Sequence, residues 1–352
     1  MVCEFSHTIL LRKSLNQRLC RRGTDGGGNF FKGVSVLKNQ LTGHLMALFV
    51  SIIWGTTFIS TKLLLQGGLH PVEIIIFRFL LAWLVLFLLS PKPLKPKGWK
   101  AELPFMAAGL TGLTIYFLFE NTALTYTLAS NCGIILSTAP MFTALMLWLS
   151  RRAPRPRWTF FLGFVIAMGG ICTISLGGSK LELNPLGDLL ILGAALSWGA
   201  YGVFLEMTSG QGYTSIQGTR KIFFWGLLFT VMCIPFYGGQ LSFDLTRFAS
   251  PVMIFNILYL SAGASALCFI LWNKAIHIIG SVSTNLYIYL TPVITLTASA
   301  LILDEPVTPS AIGAVVLIIL GLWLSQKKPR TVQLEEAVPA GAENTGPQNS
   351  ES

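Results

Sequence analysis

Glu120 stands in the run Phe117-Leu118-Phe119-Glu120-Asn121-Thr122, deep in an apolar segment over 103–124. A carboxylate at bilayer depth costs about 2.5–3.5 kcal/mol on insertion scales, so such a group faces a cavity or a partner. There it can carry a proton or hold a cationic group. Alternatively, the segment ends early and Glu120 lies at the outer interface. Asn121 follows it, and Asn121-Thr122-Ala123 recurs as Asn273-Lys274-Ala275. Amides inside a helical bundle bond between helices, worth about 0.6 kcal/mol on average, or contact a ligand. Asn285, Tyr289, Pro292 and Ser299 fall at i, i+4, i+7 and i+14, on one helical face. A polar stripe in an apolar helix should line a cavity, and Pro292 frees a backbone carbonyl one turn earlier. The matching face Gly133, Ser137, Pro140 and Leu147 is less polar and reads as tight helix packing.

Trp54, Trp198 and Tyr201 lie inside apolar segments, and Trp272 ends one. Deep aromatic rings pack a core or stack on aromatic and cationic ligands; a ring at a segment end marks the aromatic belt. Trp54, Asn121, Trp198, Tyr201, Trp272, Asn285 and Tyr289 are therefore the candidate substrate-binding residues. Glu120 is the candidate for proton coupling, and Pro140 and Pro292 are the candidate helix breaks for gating. Arg78 reads as structural, snorkelling or pairing with Glu73. Lys62 and Glu206 are expected to snorkel. Gly169-Gly170 and the stretch Ser261 to Ala266 read as small-residue helix contacts.

Catalytic signatures are missing or misplaced. There is no HExxH, GxxxxGK[ST] or GxSxG pattern. The pairs Ser35/Lys38 and Ser325/Lys328 lie at or beyond the ends of the apolar region, and His7, His44, His70 and His277 are scattered. No two of the six cysteines have CxxC spacing. No catalytic residue, metal or cofactor is expected.

The elements that must position these residues follow from composition. The 352 residues are 53% apolar and 11% charged, against about 25% charged in soluble domains. Too little charge remains to clothe a water-facing surface. A hydrocarbon core needs roughly 20 apolar residues per helix. Ten segments qualify or nearly so: 43–65, 72–90, 103–124, 129–149, 158–176, 187–206, 222–238, 252–271, 281–303 and 308–325. The expected class is an all-α polytopic membrane protein. A basic arm over 1–42 precedes the spans, either disordered or lying before a later true start near Val34 or Val36. A disordered tail over 327–352 follows them.

Lys+Arg exceeds Asp+Glu by 25 to 15. With the N-terminus inside, the outer loops hold only Lys180 and Arg247, and Lys62 and Arg78 fall within spans. All other basic residues face the cytoplasm, which places both ends there in a multi-pass cell-membrane protein. The basic excess thus needs no nucleic acid to explain it.

The chain also repeats itself. Gly43 and Gly187 open matched segments, and Trp54-Gly55 recurs as Trp198-Gly199, both at an offset of 144. Pro140 pairs with Pro292, and Gly163 with Gly313. Five segments per half is an odd number, so the copies, 43–177 and 187–326, should lie in opposite orientations. Inverted repeats of this kind build transporters with a midplane site between the halves.

These residues carry a family resemblance over roughly 43–325. The Trp-Gly pairs, Arg78 in Ile76-Phe77-Arg78-Phe79, Pro140 in Thr138-Ala139-Pro140-Met141, and the stretch Leu290-Thr291-Pro292 through Asp304-Glu305-Pro306 to Gly313 set the pattern. The chain resembles the EamA family of the drug/metabolite transporter superfamily, in its two-domain, ten-helix form. The family's glutamate after the fourth helix occurs only in the second half, as Glu305; the first half has Arg151-Arg152. The resemblance implies alternating-access transport of a small organic metabolite, an amino acid or drug-like compound, outward. Sugar uptake, lipid-carrier flipping, and a membrane-embedded enzyme or sensor are the alternatives. The expected partners are a small-molecule substrate, the lipid bilayer and protons, with a monomeric or homodimeric assembly.

Overall fold

Two capping boxes start matched helices in the computed structural model. His70 accepts from the Val72 amide while Glu73 accepts from the His70 amide, opening a helix at Pro71. Thr214 and Gln217 do the same for a helix at Ser215. Each box satisfies amides that the first helical turn leaves without partners. The structure describes residues 26–92, 98–176, 185–208, 211–237, 241–242, 244–279, 284 and 286–325. The stretch 1–25, the tail from 326, Lys180, Asn285 and the side chain of Asn273 lie outside what is described.

Among the described residues the chain is helical, with no strand. In the first half α1 is Gly26–Gln66, α2 Pro71–Leu89, α3 Trp99–Tyr126, α4 Ala129–Leu149 and α5 Trp158–Leu176. In the second half α6 is Pro185–Thr208, α7 Ser215–Phe236, α8 251–279, α9 Tyr287–Ile302 and α10 Pro309–Ser325. Seven are long and apolar enough to cross a membrane: α1 over Gln40–Gln66, α2, α3, α4, α6, α7 and α8 over Pro251–Trp272. The other three, α5, α9 and α10, are shorter apolar helices.

Two boundaries differ from the sequence reading. Helix α1 begins at Gly26, so the later part of the arm expected to be disordered is helical; Phe30, Phe31, Val34 and Leu37 continue a helical apolar pattern there. Helix α7 begins at Ser215 rather than near 222, which brings Arg220 and Lys221 inside it as buried residues. Their charges are met by tertiary partners. Arg220 donates to the Ser90 and Lys92 carbonyls, and Lys221 pairs with Glu102.

Matched irregularities interrupt matched helices. A π-helical turn, Leu110–Ile115, lies in α3, and another, Tyr259–Leu267, lies in α8. Helix α4 breaks between Leu136 and Ala139, and Pro140 opens its second part. In α9 a 3₁₀ turn, Leu286–Leu290, precedes the α-helix from Thr291, which Pro292 opens. Proline fits the first helical turn because its missing N–H would have no partner there.

The main packing pairs show the same exchange. Helix α1 packs on α8 and α9, as α6 packs on α3 and α4. Helix α2 packs on α8, as α7 packs on α3. Helices α2 with α7, α4 with α9 and α5 with α10 are each their own counterpart. The Trp-Gly pairs explain two of these contacts. A Cβ on Gly55 would lie 2.7 Å from the Ile294 side chain, and one on Gly199 would lie 2.9 Å from the Phe142 backbone. Only glycine lets α1 and α6 approach α9 and α4 so closely. Outward positions such as Phe236, Leu301 and Leu88 are apolar and exposed, which suits a hydrocarbon surround.

Candidate functional site

The two repeat-matched tryptophans meet. Trp54 and Trp198 sit edge to face, ring centroids 6.2 Å apart at 81°. Trp54 also contacts Trp272 at 5.0 Å and Phe269 at 5.6 Å. Trp198 contacts Tyr201 at 5.0 Å and Tyr116 at 5.1 Å. Edge-to-face rings at such distances attract through their quadrupoles. Four expected residues, Trp54, Trp198, Tyr201 and Trp272, are thus brought into one cluster. The π-helical turns hold it. The Trp54 indole donates to the Ala264 carbonyl at 3.0 Å, in the turn of α8. Across the cluster, Ser197 donates to the Thr111 carbonyl at 2.7 Å, in the turn of α3.

A charged pole adjoins the aromatic cluster through Tyr116. Tyr116 stands four residues before Glu120, one turn earlier on α3. Glu120 is 2% exposed, and its Oε1 has no hydrogen-bond partner. It is therefore buried, not at an interface. Arg78 is 3% exposed and interacts electrostatically with Glu120. Its Nε donates to Ser265 Oγ at 2.8 Å, and its guanidinium lies 4.4 Å from the Phe117 ring centroid and 5.2 Å from that of Phe79. Nη1 has no partner. Arg78 and Glu120 are not in ion-pair contact. The ion pairs among the described residues are Lys221 with Glu102 and Arg247 with Glu73. The expected pairing of Arg78 with Glu73 does not form, because Glu73 is turned to the His70 and Ser242 amides.

The other expected residues are placed differently. Asn121 turns away from Glu120 and donates to the Pro71 carbonyl at 3.1 Å. Tyr289 is half-buried against the main core, and Asn285 lies outside the described residues. Pro140 and Pro292 sit at the helix breaks. From the polar face of α9 it is Thr295 that reaches α1, donating to the Gly55 carbonyl at 2.7 Å. Lys62 does not snorkel. It donates to the Leu124 and Thr127 carbonyls at 2.5 and 2.9 Å, closing the end of α3 where carbonyls lack partners.

Sequence reasoning missed Tyr116, Ser265 and Phe269. Tyr116 stands one turn before Glu120, a spacing that points to contact. Ser265 was hidden in the small-residue stretch, and nothing marks Phe269 among the 24 phenylalanines. Glu305 has a separate task. Its carboxylate accepts from the Ala129 and Ser130 amides at 2.8 and 3.0 Å and from Ser130 Oγ at 2.7 Å, capping α4. At the start of α2, burial pushes the His70 imidazole below its ordinary value, and nearby Glu73 offsets this only in part.

Known proteins resemble this chain over most of its length. The model of the EamA-like transporter family matches residues 41–176 and 185–326. An uncharacterized transporter of Archaeoglobus fulgidus is 30% identical over 298 residues, 81% of this chain and 97% of that protein. A protein of Escherichia coli named "Probable amino-acid metabolite efflux pump" is 24% identical over 294 residues, 80% of this chain and 93% of its own length. A solved crystal structure superposes with a TM-score of 0.56 at 16% identity, covering 82% of this chain and 98% of that one.

Proposed function

The chain belongs to the EamA-like transporter family, and from that premise we propose that it is a secondary transporter working by alternating access. Its two halves are inverted five-helix repeats, ten crossings in all, with both termini in the cytoplasm. The substrate is a small organic metabolite, an amino acid or drug-like compound, moved outward. Glu120 carries the coupling proton. The chain performs no covalent chemistry.

The observation that carries this reading is the Trp54–Trp198 contact. Residues matched by the repeat meet each other, as pairs close to a two-fold axis between the halves do. The exchange of packing pairs supports the same axis. An odd number of crossings per half then makes the axis lie in the membrane plane. Such a pair of halves has two equivalent arrangements, open to one side or the other. The charge distribution supports the orientation, since the outer loops hold only Lys180 and Arg247. Family membership and the name of the Escherichia coli relative support a metabolite substrate.

Purified protein in liposomes tests the reading. Radiolabelled amino acids, amines and sugars are offered with and without a pH gradient. The expected result is flux of at least one solute, accelerated by the gradient. Glu120→Gln should lose the acceleration of flux by the pH gradient. Unchanged proton dependence in that variant removes Glu120 from coupling. No flux of any solute removes the transporter reading.

A further inference from the structure

We propose that Arg78 and Glu120 are the two poles of a binding site for a zwitterion. The ligand is an α-amino acid with an apolar side chain, its carboxylate on Arg78 and its ammonium on Glu120. This rests on the transporter reading and names the substrate class.

Two buried groups of opposite charge stand near each other and do not join. Arg78 presents an unpartnered Nη1 and Glu120 an unpartnered Oε1, with the side chains 3% and 2% exposed. Leaving such atoms unpaired is expensive, and buried polar groups almost always find partners. Arg78 is held by its own support. Ser265 on α8 fixes the Arg78 Nε at 2.8 Å, and the rings of Phe117 and Phe79 flank the guanidinium. Tyr116 lies beside Glu120, one turn earlier on α3. The arrangement is a donor and an acceptor kept separate, each with one valence unfilled.

A free amino acid fills both valences at once. Its carboxylate accepts from the guanidinium, and its ammonium donates to the carboxylate. A plain amine or a plain carboxylic acid fills one and leaves the other buried and unpaired, which is the strongest basis for discrimination that a site possesses. The surrounding wall of Phe79, Phe117, Tyr116 and Trp198 is aromatic, so it suits an apolar side chain. The repeat supplies no second copy. The matching positions in the other half are Ile222 and Trp272, neither of them charged. The two charges are therefore no requirement of the fold, which builds the same helix pair without them.

The experiment measures binding to the purified full chain in detergent micelles by calorimetry. The probes are L-phenylalanine, phenethylamine and 3-phenylpropanoate, which share a ring and differ in their charged groups. L-Phenylalanine should bind at least about tenfold more tightly than either of the others. Arg78→Gln should weaken L-phenylalanine to the level of phenethylamine and leave phenethylamine within about twofold. Glu120→Gln should bring L-phenylalanine to the level of 3-phenylpropanoate. If a variant does not fold, the wild-type series still decides. Equal binding of phenethylamine or 3-phenylpropanoate overturns the proposal, as does absence of L-phenylalanine binding. Liposome flux of amines or sugars alone would sink the zwitterion site and leave the transporter reading standing. Absence of all flux would remove both.

Discussion

After α4 the chain turns through Arg151 at φ 58°, and after α9 it turns through Asp304 at φ 53°. Both are left-handed positions that non-glycine residues seldom occupy, and they stand at matched places in the two halves. The residues that follow share nothing else. Arg152 is exposed, whereas Glu305 is buried and accepts three hydrogen bonds from Ala129 and Ser130 at the start of α4. The backbone preserves the repeat, and the side chains give each turn a different task. A helix start carries partial positive charge and spare amides, so a carboxylate latches it. An arginine in the same turn cannot accept a hydrogen bond, but in the proposed orientation it suits the cytoplasmic face. In the proposed orientation the outer turn is therefore tied to its neighbour and the inner turn is not.

The sharpest way to break this comparison is to exchange the chemistry. Glu305→Arg removes the three acceptor contacts and places a cation against a helix start. Its expected loss is about 3–5 kcal/mol, the range for breaking a buried charged partnership. Denaturation of the purified protein in micelles would show it as a large fall in the unfolding midpoint. Glu305→Gln keeps an acceptor oxygen and should lose about 1–2 kcal/mol. The mirror change, Arg152→Glu, alters an exposed residue and should stay within about 0.5 kcal/mol. Equal losses from Glu305→Arg and Arg152→Glu would show that the two turns do not differ as described.

A second contrast lies at the centre. Trp54 and Trp198 face each other, but the Trp54 indole donates to the Ala264 carbonyl at 3.0 Å, while on the other side Ser197 makes the matching bond to Thr111. Trp54→Phe should therefore cost about 1 kcal/mol more than Trp198→Phe, the value of one hydrogen bond. A Ser197→Ala change should restore the balance by removing the counterpart. Identical losses for the two tryptophans would mean that the bond to Ala264 contributes nothing measurable.

Much of this was legible in the sequence, for reasons particular to a bilayer. Hydrophobic length is a property of each segment alone, so the seven helices among the described residues that are long and apolar enough to cross a membrane fall close to segments read from composition. The Trp-Gly pairs pointed to the repeat and marked Trp54 and Trp198, but not that their rings would meet. Glu120 was conspicuous because a carboxylate in an apolar run demands an explanation. What escaped depended on partners far along the chain. Arg220 and Lys221 looked like loop charges until Ser90, Lys92 and Glu102 met them inside α7. Lys62 looked like a snorkelling residue until the end of α3 proved to lie within its reach. Asn121 looked like a neighbour of the site, yet one residue of helix rotation turns it to Pro71. The π-helical turns left no signal, since nothing in their residue types distinguishes them from ordinary helix.

The smallest contrast is between the capping boxes. The second-half box is Thr214 with Gln217, which do not titrate near neutral pH, and the first-half box is His70 with Glu73. His70 accepts the Val72 amide through Nδ1 at 3.3 Å, which requires that nitrogen to be unprotonated. Burial lowers its proton affinity below the ordinary value of 6.5, outweighing the pull of Glu73. The unfolded chain therefore takes up the proton first as pH falls, and stability declines below that value. Above it the cap contributes fully. Because His70 is half-buried, solvent screening keeps the loss under about 1 kcal/mol. Unfolding midpoints compared at about pH 8 and about pH 5 should fall further in the wild type than in His70→Thr, which copies the second-half chemistry. Parallel behaviour of the two proteins would mean that the imidazole does not act as the cap, and that the two boxes differ in residue type alone.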